Sequence, residues 1–153
     1  MTTPSNHILL IAHAPLAQAL RACALHVFAD CADAISALDV LPDEAPEATL
    51  RAAQALLART GAQHTLVLTD VLGATPSNVA HRLVEGSAAQ LLVGANVPMV
   101  LRALCYRHEP LDVLASRALA GGQQGMLQAV GSQAPQNQIS RKNHDQDRDH
   151  HQQ

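Results

Sequence analysis

Residues 7–15 read HILLIAHAP, an unbroken apolar run from Ile8 to Ala12 that closes on His13, Ala14 and Pro15. One such run is ambiguous between a strand and a buried helix segment; its recurrence settles the reading. The same texture returns at Thr65–Asp70 (TLVLTD) and Gln90–Ala95 (QLLVGA), and more weakly at Ala34–Val40 (AISALDV). Short apolar runs that are continuous rather than alternating suit strands buried on both faces of a parallel sheet. Between and after them lie longer stretches with helical character, 15–28, 45–60, 75–85, 98–107 and 111–120. In the second of these Leu50, Ala53, Leu56 and Leu57 recur three or four apart and mark one helix face. Strand and helix in alternation predict an α/β fold: a doubly wound, mostly parallel four-stranded sheet flanked by helices.

Composition bounds the rest. A chain of 153 residues suggests one domain. It is 48% hydrophobic but 1% aromatic, with Phe28 and Tyr106 alone and no Trp, so stacking platforms for single-stranded nucleic acid are lacking. The formal charge is −3 with a single Lys, Lys142, so nucleic acid is not an expected partner. No apolar run reaches the 18 or more residues of a membrane span and residues 1–6 carry no signal-peptide pattern, so direct membrane insertion is not expected and a cytoplasmic location is. Cys23, Cys31 and Cys105 are odd in number and lack close-pair metal spacing, which reads as three reduced thiols. Composition shifts at Gly131: beyond it only Ile139 is an aliphatic side chain larger than Ala. The expected organisation is a domain over 1–130 and a disordered polar tail over 131–153.

A doubly wound sheet places ligands and reacting groups beyond the carboxyl ends of its strands. After the first strand stands His13, just ahead of a helix expected to begin near Pro15, where free N–H groups and the helix dipole favour negative charge. After the third comes DVLGATPSN, Asp70 to Asn78. Asp70 ends a buried strand, where a carboxylate is costly unless paired. Gly73 loosens the loop, Thr75 suits a helix N-cap and Pro76 the first helical position, so Thr75, Ser77 and nearby N–H groups form anion-binding equipment. First and third strands are commonly neighbours, so Asp70 can accept from His13 Nδ1–H, fix the tautomer and leave Nε2 as nucleophile. After the fourth strand, Asn96 either braces the neighbouring loop or is a simple turn residue. The other body histidines, His7, His26, His64, His81 and His108, read as structural or surface residues. His144, His150 and His151 fall in the tail.

These residues lie in three segments, ILLIAHAPLAQAL, VLTDVLGATPSN and LLVGANVPMVLRAL. In them the chain resembles the IIA component of the mannose-type (mannose, fructose, sorbose) bacterial sugar phosphotransferase system, over residues 7–130. The resemblance implies a phosphocarrier that takes a phosphoryl group from the phosphohistidine of an HPr-like carrier and hands it to a IIB partner. It makes His13 the acceptor, Asp70 its hydrogen-bonding carboxylate and Thr75 the small hydroxyl residue near the phosphate. It also implies a homodimer in which an extra C-terminal edge strand, here Gly125–Val130, is exchanged. The chain departs from the family pattern at Ala14, often Gly, at Val71, often a hydroxyl residue, and at Leu72, commonly aromatic.

Other classes fit less well. A response-regulator receiver needs an acidic pair after the first strand and a Lys at a later strand end, and the body has no Lys. A dinucleotide domain needs a Gly-rich turn where Ala12-His13-Ala14-Pro15 stands. A metal hydrolase needs a third ligand beside His13 and Asp70. A regulatory phosphorelay protein of the same fold, acting through its phosphorylation state without sugar transport, is the alternative reading. Neither metal nor cofactor is expected, because a phosphohistidine donor is already activated.

Overall fold

The computed structural model describes residues 4–131. The elements run β1 (His7–His13), α1 (Leu16–Val27), a 3-10 turn (Ala32–Ala34), β2 (Ile35–Val40), α2 (Pro46–Thr60) and β3 (Thr65–Thr69). They continue with α3 (Thr75–Val84), β4 (Ala89–Val93), α4 (Val97–Cys105) and α5 (Leu111–Gln124). All four expected strands and all five expected helices are present, with ends displaced by a few residues. The sheet is wholly parallel in the order β2-β1-β3-β4. β1 and β3 are adjacent, with Ile8 opposite Leu66 and Ile11 opposite Thr69.

The apolar runs work as their pattern implies. Ile8 through Ala12 are buried on both faces of the sheet, and successive side chains enter different layers. Ile8, Leu10 and Ala12 pack with Leu66, Leu68 and residues of α1, α4 and α5. Leu9, Ile11 and Val67 pack on the other side with Ala53 of α2 and with Ala80 and Leu83 of α3. Helices on both faces leave the two ends of the sheet as the places where loops gather.

Local chemistry sets the helix ends. Pro46 opens α2, Glu47 sits in its first turn, Arg59 in its last, and Gly61 follows at φ 64°, a left-handed turn that side-chain-bearing residues resist. α4 starts from Asn96, whose Oδ1 accepts from the Met99 N–H at 2.9 Å. Its Nδ2 donates to Gly122 O of α5 at 3.2 Å. Asn96 thus ties two helices together, and among the described residues no hydrogen bond joins its side chain to the Asp70–Thr75 loop. α4 and α5 approach so closely there that a Cβ on Gly121 would lie 2.8 Å from Arg102 Cβ.

The two edges of the sheet are treated differently. Along β2, side chains of α1 cover the outward carbonyls: Arg21 Nε donates to Ile35 O at 2.9 Å and Gln18 Nε2 to Ala37 O at 3.0 Å. Arg21 also donates through a terminal nitrogen to Ala32 O at 2.9 Å. β4 has no such cover among the described hydrogen bonds, and all five of its residues are half-buried. Residues 125–130, expected as an exchanged edge strand, form no regular structure in the single chain, where Met126, Leu127 and Val130 are exposed. Apart from Gly131, the tail expected over 131–153 lies outside the described residues.

Candidate active site

β1 ends on His13 and β3 ends one residue before Asp70, so adjacent parallel strands deliver an imidazole and a carboxylate to the same edge. Asp70 Oδ2 lies 2.7 Å from His13 Nδ1 and also accepts from the His13 backbone N–H at 3.0 Å. Its other oxygen, Oδ1, accepts from the Val71 N–H at 2.9 Å. An ionised carboxylate only accepts, so this geometry assigns the ring hydrogen to Nδ1. No described residue hydrogen-bonds Nε2, and the imidazole is 52% exposed beside a carboxylate that is 12% exposed. The side nitrogen is anchored and the far nitrogen faces outward chemistry.

Two opposed influences act on Asp70. Partial burial works to raise the carboxyl's pKa, but the N–H and ring of His13, the N–H of Val71 and the positive character of His13 outweigh it and hold it below the ordinary value. Asp70 is therefore ionised at neutral pH and suited to stabilise a positively charged ring.

The loop after Asp70 departs from expectation in detail. Ala74, not Thr75, occupies the N-cap of α3; Thr75 is the first helical residue and Pro76 the second. Both positions tolerate Pro's missing N–H, and extended backbone at Ala74 moves the cap back by one. The Thr75 hydroxyl is half-buried and makes no hydrogen bond among the described residues, so it is available. Ser77 is a correction. Expected beside the phosphoryl group, it is fully buried; its Oγ donates to Ala74 O at 2.9 Å and accepts from the Gly73 N–H at 3.0 Å. Gly73 is corrected with it, since that N–H is engaged, and its contribution is a turn at φ 86° that a side chain would strain. Together they hold the loop's shape. Pro15 likewise precedes α1 as its N-cap rather than opening it, after a cis Ala14–Pro15 peptide.

Some features had no sequence signal. The Thr69 hydroxyl is fully buried without a hydrogen-bond partner directly before Asp70. Asp39, at the carboxyl end of β2, accepts from the Gln18 N–H at 3.2 Å and steadies the start of α1. Of the remaining histidines, His7 is buried at the opposite end of the sheet, its Nε2 2.8 Å from Ser36 Oγ, and burial lowers its pKa. Two large clefts, of about 980 and 510 Å³, also lie away from His13; His7, Asp33 and Thr60 border both. No group of three or more His, Cys, Asp or Glu among the described residues is placed to hold a metal ion. No helix among them is long and apolar enough to cross a membrane.

A doubly wound α/β domain whose first and third strands present a histidine–aspartate couple at their carboxyl edge defines a candidate histidine phosphocarrier. Residues 7–119 match the family model described as the fructose IIA component of the phosphotransferase system, and the chain belongs to that family. The mannose/sorbose-specific IIA subunit from Enterococcus faecalis is a similar solved structure, with TM-score 0.75 and 25% identity over 82% of this chain and 96% of that one. The phosphotransferase component EIIA from Streptococcus agalactiae superposes with TM-score 0.68 and 26% identity, covering 80% of this chain and 95% of that one. At 18% identity, a IIA protein associated with the fucose utilization operon of Streptococcus pneumoniae shares the fold, with TM-score 0.70 over 84% and 96% of the two chains. Comparison with curated protein sequences gave no match. The chain is accordingly a mannose-type IIA component of the phosphotransferase system, a phosphotransfer protein of sugar transport.

Proposed function

We propose that His13 is the phosphoryl acceptor, that it is charged by the phosphohistidine of an HPr-like carrier, and that it delivers the group to a IIB protein. The observation that carries this reading is the bond from His13 Nδ1–H to Asp70, which leaves Nε2 without a hydrogen-bond partner among the described residues on a half-exposed imidazole. In the transfer, the Nε2 lone pair forms the new N–P bond as the donor's N–P bond breaks in line. The donor ring leaves as neutral imidazole, and His13, keeping its Nδ1 proton, becomes a phosphorylated imidazolium facing Asp70. Positive charge therefore passes with the phosphoryl group and no proton need leave the pair. Asp70 stabilises the ring in its charged state, where the interaction is stronger than in the neutral one. The Thr75 hydroxyl donates to a phosphoryl oxygen, and Ser77 and Gly73 hold the shape of its loop.

Labelling by a phosphorylated HPr-like carrier tests this. Wild-type chain should gain one acid-labile phosphoryl group, with a phosphorus resonance of Nε2-phosphohistidine, and His13→Ala should gain none. Undiminished labelling of His13→Ala refutes the assignment.

The functional unit we propose is a cytoplasmic homodimer. β4 offers an uncovered edge, and Met126, Leu127 and Val130 offer an exposed apolar segment just past α5 that a second copy's sheet can bury. Light scattering should report two chains for the full-length protein and one after removal of residues 125–153; a full-length monomer rules the dimer out.

A further inference from the structure

β1 begins on His7 and ends on His13, so the first strand holds one histidine at each end of the sheet. At about 3.3 Å per residue the two lie roughly 20 Å apart. The clefts of about 980 and 510 Å³ open at the His7 end and share His7, Asp33 and Thr60. Small-molecule sites occupy roughly 300–1,000 Å³, so both are of that scale. Hydrogen bonds pin the walls of the larger one. Asn6, itself buried, donates from its N–H to Arg107 O at 2.8 Å. Its Nδ2 donates to Arg107 O at 2.8 Å and to Glu109 O at 2.7 Å. The His7 N–H donates to His64 O at 3.0 Å. The loops carrying His64 and His108 are therefore tied to the start of β1, and the cleft is formed before any ligand arrives.

Three polar groups around the clefts lack a partner that their chemistry calls for. His7 is 5% exposed; its Nε2 lies 2.8 Å from Ser36 Oγ, and its Nδ1 meets no partner among the described residues. Burial lowers its pKa, so the ring is neutral at pH 7 and has one donor and one acceptor to satisfy. A buried nitrogen left without a partner is costly. Arg21 donates from Nε to Ile35 O and from Nη2 to Ala32 O, which leaves Nη1. Arg59 is exposed and makes no hydrogen bond among the described residues. Both arginines line the smaller cleft, and neither forms an ion pair with a carboxylate among those residues. Asp33 is the one carboxylate there, so the smaller cleft is net positive. The larger cleft differs in kind: it is lined by Asp33 and Glu109 and by neither Lys nor Arg.

We propose that the two clefts form one binding site, at the end of the sheet away from His13, for a small phosphate monoester with a hydroxyl-bearing body. The phosphate sits between Arg21 and Arg59, whose two unpaired guanidinium groups match its double negative charge and whose N–H forks suit its oxygens. A carboxylate head would leave one of those charges unmatched. The body passes His7 into the larger cleft, where one hydroxyl serves Nδ1 and others donate to Asp33 and Glu109. His108, exposed on the far wall, meets the end of the body. Neither cleft is lined by Phe, Tyr or Trp, so a nucleobase has no large ring to stack on. The ligand touches neither His13 nor Asp70, and the site stands whether or not His13 is the phosphoryl acceptor.

Amide NMR titration of the full chain with glycerol 3-phosphate and with glucose 6-phosphate tests this, with inorganic phosphate and glucose as controls. At least one monoester should give saturable shifts at Ser36, Thr60 and Ala62 with a Kd of about 1 mM or tighter. Both controls should bind at least fivefold more weakly. Arg59→Gln should weaken that monoester and inorganic phosphate at least fivefold. His108→Ala should weaken the monoester at least threefold and leave inorganic phosphate unchanged, because the larger cleft meets the body alone. Both side chains are exposed, and circular dichroism checks that the variants fold. Absence of saturable shifts with either monoester, glucose binding as tightly as its phosphate, or wild-type affinity in Arg59→Gln overturns the site. Wild-type affinity in His108→Ala overturns the joining of the two clefts. Shifts confined to Asp70–Thr75 place the anion beside His13 and overturn the proposal as well.

Discussion

A single oxygen, Asp70 Oδ2, holds both the ring and the main chain of His13, at 2.7 Å from Nδ1 and 3.0 Å from the backbone nitrogen. The carboxylate therefore fixes where the strand ends as well as which nitrogen carries the hydrogen. Asp70 is fixed in turn by the next residue, because Val71 N–H binds Oδ1. Acceptor and partner are thus set against each other by the adjacency of β1 and β3, without help from flexible side chains.

Replacing Asp70 by Asn keeps the shape of this arrangement and removes its charge. A hydrogen bond to a charged group contributes about 1.5–3 kcal/mol, so phosphoryl transfer to Asp70→Asn should slow by roughly 10- to 100-fold. Rapid-quench labelling measures it. The chain should stay folded by circular dichroism, and a rate equal to wild type removes the role given to Asp70.

The depressed pKa of Asp70 also links stability to pH. Its folded value lies below its ordinary 3.8. The unfolded chain therefore binds this proton first as pH falls, and the stabilisation is complete above the ordinary value and lost as pH drops through the folded one. Urea unfolding of wild type and Asp70→Asn should show a gap that is constant from pH 7 to pH 5 and closes towards pH 3. A gap that persists unchanged at pH 3 contradicts this.

Ser77→Ala removes a hydroxyl that both accepts from Gly73 and donates to Ala74. The exposed Gly73 N–H can turn to water, so the stability loss should be modest, about 1 kcal/mol. The local effect should be larger: the Gly73 amide should exchange with solvent faster while amides of β3 keep their protection. Equal exchange at Gly73 in both proteins shows that Ser77 does not hold the loop.

Gly121→Ala sets two effects against each other. Helix propensity favours Ala over Gly by about 1 kcal/mol. The added Cβ would sit 2.8 Å from Arg102 Cβ and 2.9 Å from its Cγ, which forces α5 away from α4 at a cost of about 1–3 kcal/mol. Neither neighbour atom is the free end of a flexible chain, so crowding should win and the midpoint of thermal unfolding should fall. Gln123→Ala, exposed on the same helix, should change it little, and a Gly121→Ala midpoint above wild type shows that α5 yields without penalty.

Sequence carried the sheet and the His13–Asp70 couple because both depend on short-range pattern. Ile8–Ala12 and Leu66–Leu68 are apolar without alternation since both faces of β1 and β3 are covered, and residues that end such strands necessarily gather at one edge. What failed to show was orientation within a loop. Ser77 and Thr75 are both small hydroxyl residues next to Pro76, and only the turn at Gly73 decides that Ser77 faces inward. The N-cap slipped from Thr75 to Ala74 for the same reason: Pro76 satisfies either register. The Gln18 and Arg21 bonds to β2 join residues 14 to 19 apart in the chain across an edge that no periodicity announces. Residues 125–130 carry strand-like apolar side chains but have no neighbouring strand to pair with inside one chain.

The unequal edges of the sheet limit how this protein can grow. A parallel sheet with two receptive edges can be lengthened at both, one molecule after another, into a fibre. Here Arg21 and Gln18 already occupy the outward carbonyls of β2, and β4 alone is receptive. In the homodimer proposed above, β4 is the edge that a second copy would occupy. The α1 side chains that seal β2 act as a chain stopper on that side of the sheet.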